Sequence, residues 1–203
     1  LGRTVGLVFL VPCTYFWFRG HFSKRIKRRM LFAGLLIFTQ GIIGWWMVKS
    51  GLKQKDLNED PFVPRVSHYR LAVHLSLAFI LYGVFLWNGL SCLLTPFDHS
   101  NVKSIKRLRG MVHGSKLAIF STVFIGAFVA GLDAGLVYNS WPTYSGNWIP
   151  HELMSGTICG ISEFFSNPVS VQFIHRNLVN CFLILHIVSW ISPNISGVFD
   201  TRC

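Results

Sequence analysis

The sequence predicts an all-α protein, a polytopic bundle of transmembrane helices with about five spans. Of its 203 residues, 51% are hydrophobic and only 13% are charged, and the mean hydropathy is +0.46. The charges occur in groups, and the uncharged stretches between them approach the roughly 20 residues that a bilayer-crossing helix needs. Nineteen Lys and Arg stand against eight Asp and Glu. In so apolar a chain this excess is typical of loops on one side of a membrane, and a nucleic-acid partner is excluded.

Counting between flanking charges gives the spans in order. They are the 15 residues between Arg3 and Arg19, residues 30–48, residues 71–97, a helix from about 111 to 132, and residues 177–199. The fourth span begins before Lys116 because a lysine near a helix end can extend its ammonium group to the interface. In the fifth span, Pro193 is expected to end the helix near Ile191.

Residues 133–172 are predicted to form one long, structured outer loop. The uncharged part of this segment is rich in residues that favour turns over a lipid-exposed helix. These are Gly135, Asn139, Ser140, Pro142, Gly146, Asn147 and Pro150.

Basic residues predict the orientation. Residues 19–29 carry six Lys or Arg and residues 98–110 carry four, which places both segments on the inner side, in the matrix or cytoplasm. Residues 49–70 and 133–176 then lie outside. Every Asp and Glu falls outside the five spans, so no buried carboxylate for a proton relay is predicted.

Two of the eight histidines stand out by position. His74 and His175 each lie in the first turns of a span that enters from the outer side, so their imidazoles are expected at similar depth. An imidazole there suits a haem: the ring nitrogen binds the iron, and Arg70 or Arg176 pairs with a propionate. Spacing alone leaves open an interfacial histidine without a ligand role. A zinc site is disfavoured because neither has a second ligand three or four residues away.

The other histidines carry less information. His21 and His99 lie in basic loops, and His68, His113 and His151 lie at interfaces. His186 follows His175 by eleven residues and so shares its helix face. It can serve a second haem layer, but a hydrogen bond to a neighbouring helix is favoured.

Several longer runs are more specific. They are GRTVGLVFLVPCTYFWFRG from Gly2, QGIIGWWMVKSGL from Gln40, PRVSHYRLAVHL from Pro64, GAFVAGLDAGLVYNSWP from Gly126, and NPVSVQFIHR from Asn167. Together they resemble haem A synthase of the mitochondrial type, a membrane enzyme of cytochrome oxidase assembly. The runs occur in family order and cover the chain to about residue 176.

The resemblance implies a fold of eight helices in two four-helix bundles, with paired histidines on the second and fourth helix of each. Residues 1–97 would be the remainder of the N-terminal bundle (helices 2–4), and residues 98–203 the start of the C-terminal bundle (helices 5–6). His74, with Arg70, then belongs to the site of the substrate haem O. His175, with Arg176, belongs to the site of the cofactor haem B, and the two histidines are the iron ligands.

The implied activity is oxidation of the haem O methyl group to a formyl group, with no catalytic residue assigned. The implied location is the mitochondrial inner membrane, with residues 19–29 and 98–110 on the matrix side. The implied partners are the lipid bilayer, haem O, haem O synthase, an electron donor and further copies of the chain.

The chain also departs from the family pattern. The Glu and the His-Arg pair expected before Leu1, and a histidine expected after Cys203, fall beyond its ends, so each haem pair keeps one ligand. Leu1 in place of Met indicates a chain that is incomplete at its beginning. The alternative is therefore a non-catalytic haem-binding or assembly module. A cytochrome b-like carrier is disfavoured because it needs paired histidines on facing helices, and a transporter because no span carries a central charge.

Overall fold

The computed structural model describes residues 2–52, 65–95, 105–156 and 160–191. Within these ranges the regular secondary-structure elements are all helices, which confirms the predicted all-α class. The helices are α1 (Gly2–Phe18), α2 (Lys24–Leu52), α3 (His68–Leu93), α4 (Ile105–Gly131), α5 (His151–Met154), α6 (Ile161–Ser166) and α7 (Pro168–Ile191). A short 3-10 turn, Ala134–Leu136, follows α4.

Among the described residues, three helices are long and apolar enough to cross a membrane. They are α2, α3 and α4, while α1 is apolar but has 17 residues. Large apolar side chains on these helices are exposed, for example Leu35 (61%) and Phe38 (67%). Such exposure fits a lipid environment, because a soluble helix would turn these side chains towards a core. The bounds of α1 to α4 match the first four predicted spans, with α2 and α4 beginning about six residues earlier than predicted.

The start of α7 corrects two predictions. The outer loop was expected to run to residue 172 and the fifth span to begin at residue 177, but the helix begins at Pro168. Asn167 caps it, since its Oδ1 accepts a hydrogen bond from the Val169 amide at 2.8 Å. Proline fits the first helical position because its missing N–H would have no partner there. The predicted span continues beyond Ile191, outside the described residues.

The chain divides into two compact units, Leu1–Pro96 and Phe97–Cys203. This boundary lies one residue from the division made on the sequence, and the assignment of each unit to a four-helix bundle stays a prediction. In the first unit α2 packs along α3, with α1 against α2. Ala33 and Ala72, both almost fully buried, let these helices approach closely.

In the second unit α4 packs along α7, and the connection between them folds back onto this pair. The 3-10 turn contacts both helices, and α5 and α6 contact α7. Ala127, Phe128 and Val171 are buried in the unit. The described residues of the segment predicted as a structured loop therefore form short helices and pack on α7.

Candidate functional site

His74 lies against a glycine of the neighbouring helix. It is on α3, six residues after the helix start, and faces Gly44 of α2. A Cβ atom added to Gly44 would lie 3.0 Å from Cε1 of the ring and 3.6 Å from each ring nitrogen. The ring therefore points its Cε1 edge at α2, with one nitrogen on either side of the contact. Its Nδ1 is buried and has no hydrogen-bond partner.

His175 repeats this arrangement in the second unit. It is on α7, seven residues after the helix start, and faces Gly126 of α4. A Cβ atom on Gly126 would lie 3.1 Å from Cε1, 3.7 Å from Nδ1 and 3.8 Å from Nε2. Thr122, one turn earlier on α4, presents its backbone to the same ring. Nδ1 is nevertheless buried without a hydrogen bond of ordinary geometry.

Each of the two sites offers a single imidazole whose orientation is fixed by the facing helix. A buried nitrogen without a partner costs about 1–3 kcal/mol, so a ring kept in this state is unusual for a purely structural residue. Within the described ranges, His, Cys, Asp and Glu form no group of three or more able to hold a metal ion. One imidazole per helix pair suits the axial position of a haem, whereas zinc needs three or four protein ligands.

Arg70 lies one turn before His74, near the start of α3. Its Nη1 donates a hydrogen bond to the Trp46 carbonyl on α2 at 2.8 Å, and its guanidinium lies 4.0 Å from the centre of the Trp46 ring. The arginine is thus fixed to α2 by one of its five N–H donors. The remaining donors can pair with an anion.

Arg176, next to His175, holds the loop that follows α4. Its Nη1 donates to the Ser140 carbonyl at 2.7 Å and its Nη2 to the Tyr138 carbonyl. Its guanidinium also lies 4.9 Å from the centre of the Tyr144 ring. Gln172 donates to the Tyr138 carbonyl as well, at 2.9 Å. The loop is therefore fastened to the first turns of α7, beside the His175 ring.

A hydrogen bond between Tyr138 and Glu152 also stabilises this loop. The Tyr138 hydroxyl donates to the Glu152 carboxylate, with distances of 3.0 and 2.8 Å to its two oxygens. This bond, together with partial burial and the negative charge, raises the pKa of Tyr138. Glu152 has a lowered pKa because its own backbone amide and the Tyr138 hydroxyl stabilise the carboxylate. The sequence singled out neither residue, since their partners are set by the folding of the loop.

The remaining histidines do not join these sites. His21, His113, His151 and His186 are exposed, and His68 is half-buried at the start of α3. His186 stacks on Phe182 of its own helix, with ring centroids 5.6 Å apart. His99 lies outside the described residues. Sequence reasoning did not include Gly44 and Gly126 in the candidate site, whereas the structure places each of them against a candidate ligand.

Known proteins resemble nearly the whole chain. The model of the COX15-CtaA family, described as cytochrome oxidase assembly protein, matches residues 1–196. Heme A synthase COX15 of Homo sapiens is 47% identical over 177 residues, which cover 87% of this chain and 42% of the relative. Heme A synthase of Maricaulis maris is 41% identical over 176 residues, covering 87% and 48%. Heme A synthase COX15 of Saccharomyces cerevisiae is 36% identical over 197 residues, covering 86% and 40%.

No solved structure matches the chain significantly. The chain spans less than half the length of these three relatives. Because the family model covers almost every residue and the relatives align over most of the chain, this protein belongs to the COX15-CtaA family of cytochrome oxidase assembly proteins.

Proposed function

We propose that this chain is part of a haem A synthase, which oxidises the methyl group of haem O to a formyl group with haem B bound as cofactor. The observation that carries the proposal is the repeated contact between a histidine and a glycine. In each unit one imidazole lies edge-on against the facing helix, and its Nδ1 is buried without a hydrogen bond of ordinary geometry. The printed names of the relatives, heme A synthase, support the same activity.

The residues present fit a haem in three respects. Each unit offers one imidazole that would hold the iron of a haem, as single residues of different helices do in haem proteins. Because the glycine has no Cβ atom, the ring can lie directly against the backbone of the facing helix. This contact holds the ring in a defined orientation. Nε2 lies on the other side of the contact from the buried Nδ1, and we assign it to the iron.

We assign a different haem to each of the two sites because of the family resemblance. His74 and Arg70 bind the substrate haem O, and His175 and Arg176 bind the cofactor haem B. When bound, haem B supplies the redox chemistry of its iron. The protein's own residues orient the porphyrins through the two imidazoles. Arg70 and Arg176 use one and two of their donors within the protein, and their remaining donors hold the propionates.

Haem B retention tests the cofactor site. The 203-residue chain is purified in detergent, and haem B is titrated while the Soret absorbance is recorded. We expect His175→Ala to weaken binding by tenfold or more. The matched control is His186→Ala, an exposed histidine on the same helix, which should bind like the unmodified chain. An unchanged Soret titration for His175→Ala would remove this residue as a ligand.

Haem A production tests the substrate site and the activity. A full-length version is expressed in cells that lack their own haem A synthase, and extracted haems are separated by chromatography. His74→Ala should abolish haem A, while the exposed His21→Ala should leave it intact. Normal haem A from His74→Ala would contradict its assignment. A full-length protein that binds haem B but forms no haem A would instead support the non-catalytic haem-binding or assembly module.

We also propose the mitochondrial inner membrane as the location, with residues 19–29 and 98–110 on the matrix side. The support is the concentration of basic residues in these two segments. Single cysteines at Ser23 and Asn147, in a version without native cysteines, report the topology through a membrane-impermeant maleimide. In mitoplasts Asn147→Cys should react and Ser23→Cys should be protected. The reverse pattern would contradict the orientation.

A further inference from the structure

Three arginines line a cavity at the basic end of the α2–α3 pair. The cavity has a volume of about 370 Å³ and is lined by Arg25, Arg28, Arg29, Phe32, Val84 and Trp87. It lies at the beginning of α2, where five of the six residues 24–29 are Lys or Arg. His74 lies elsewhere in this unit, about five turns before the end of α3, so the cavity is distinct from the haem site proposed above.

Arg29 is built into the wall of this cavity. Its Nη1 donates to Oδ1 of Asn88 at 3.1 Å and to Oγ of Ser91 at 3.2 Å. Its guanidinium lies 3.9 Å from the centre of the Trp87 ring. Asn88 is itself buried, with 8% of its surface exposed, and its side-chain amide donates to the Val84 carbonyl at 2.8 Å. Arg29 therefore presents a fixed positive charge between the two helices.

Arg25 and Arg28 extend this charge at the cavity mouth, where both side chains are exposed. The described residues of the first unit, 2–52 and 65–95, contain no Asp or Glu. Within that part of the chain the three arginines thus have no carboxylate to neutralise them. Clustered guanidinium groups attract anions, and their planar donors match phosphate geometry.

The apolar lining identifies the kind of anion. Phe32 and Trp87, with 49% and 58% of their surface exposed, lie beside the arginines on helices that are membrane-span candidates. A cationic rim next to exposed apolar side chains matches a phospholipid, with its phosphate at the rim and its acyl chains along the helices. Basic pockets between transmembrane helices bind such head groups. We propose that this arginine cavity binds an anionic phospholipid.

Binding of single lipids to the chain tests the proposal. The chain is purified in a neutral detergent, which removes the surface potential of a bilayer, and bound lipid is counted by native mass spectrometry. Dioleoyl phosphatidylglycerol should remain bound, whereas dioleoyl phosphatidylcholine, with the same acyl chains, should be retained at least about tenfold less. Inorganic phosphate at millimolar concentration should not displace the lipid. Equal retention of the two lipids, or displacement by phosphate alone, would overturn the proposal.

Matched double variants locate the site. Arg25→Gln with Arg28→Gln removes two charges from the cavity, and we expect phosphatidylglycerol binding to fall by about tenfold. Lys24→Gln with Lys27→Gln removes two charges from the same helical turns but outside the cavity lining, and binding should change less than about twofold. Equal losses in both variants would show general charge attraction and would overturn the assignment. The lipid comparison on the unmodified chain decides the proposal even if a variant does not fold.

Discussion

Gly44 and His74 lie so close that a Cβ atom on the glycine would stand 3.0 Å from Cε1 of the imidazole. This separation is below ordinary van der Waals contact. The backbone of α2 itself is therefore the surface on which the His74 ring rests. In the second unit, Gly126 and His175 show the same relationship at 3.1 Å. The orientation of each candidate ligand thus depends on the absence of a side chain on the facing helix.

Gly44→Ala should displace the His74 ring and destabilise the first unit. We expect the free energy of unfolding in detergent to fall by about 1–3 kcal/mol, because the added methyl group overpacks the contact. Circular dichroism during denaturation measures this change. The control is Gly41→Ala, one turn earlier on α2, where an added Cβ would meet nothing within 4 Å. That variant should be neutral or more stable by up to about 1 kcal/mol, since alanine favours the helix. Equal effects at the two glycines would contradict the contact.

Arg176→Lys should release the loop after α4 while keeping the charge. A lysine cannot reproduce the two directed N–H bonds to the Tyr138 and Ser140 carbonyls. Hydrogen–deuterium exchange of residues 138–147 measures the release, and we expect faster exchange by about tenfold, in line with the loss of 1–2 kcal/mol of local stability. Arg109→Lys on α4, an exposed position, should leave the exchange unchanged. Unaltered exchange in Arg176→Lys would mean that the loop is held by other contacts.

Glu152→Gln should lower the pKa of Tyr138 towards the usual tyrosine value of about 10. The carboxylate raises that pKa by accepting a hydrogen bond from the hydroxyl and by its negative charge. The tyrosinate absorbance of the chain minus that of Tyr138→Phe isolates this one group during an alkaline titration. Because the hydroxyl donates only when protonated, its contribution is complete below the usual pKa and disappears as pH rises through the raised value. If the pKa of Tyr138 is unchanged in Glu152→Gln, the hydrogen bond between the two side chains is contradicted.

The contribution of the Glu152 carboxylate to loop stability depends on pH in the opposite direction. The pKa of Glu152 is lowered in the folded loop. The carboxylate therefore stabilises the loop above the usual glutamate pKa, and this contribution is lost as pH falls through the lowered value.

Arg29→Gln should destabilise the α2–α3 pair, whereas Arg28→Gln should not. Arg29 loses its bonds to Asn88 and Ser91 and leaves the Asn88 oxygen without a donor. We expect a loss of about 1–3 kcal/mol, seen as a lower unfolding temperature by circular dichroism in detergent. Arg28 is exposed, so its replacement should shift the midpoint little. Similar midpoints for both variants would show that Arg29 is not a structural residue.

Hydropathy and charge were sufficient to predict the apolar helices α1 to α4. The uncharged stretches of α1 to α4 are set by the cost of burying charge in lipid, a constraint that acts on sequence directly. The start of α7 was missed because Asn167 and Pro168 stand in a polar, turn-rich region. There a capping amide and a proline favour a helix start as readily as a turn.

The site was only partly visible in the sequence. The direction of span entry singled out His74 and His175, and their common depth in a membrane stays a prediction. Their glycine partners were not identified, because which residues face each other depends on the rotation of two packed helices. The bonds from Arg176 to loop carbonyls were equally hidden. Backbone acceptors carry no residue type, so a sequence pattern cannot mark them.

The distance along the chain from Gly44 to His74 is 30 residues, whereas from Gly126 to His175 it is 49. Both pairs nevertheless reach the same contact. The extra length is taken up by the ordered connection that contains α5 and α6. The register of the ring against its glycine is therefore independent of how much chain joins the two helices. Insertions and deletions should be tolerated in that connection, outside the parts that Arg176 and Glu152 hold. The helical stretch before each ring, six residues in α3 and seven in α7, should keep its length.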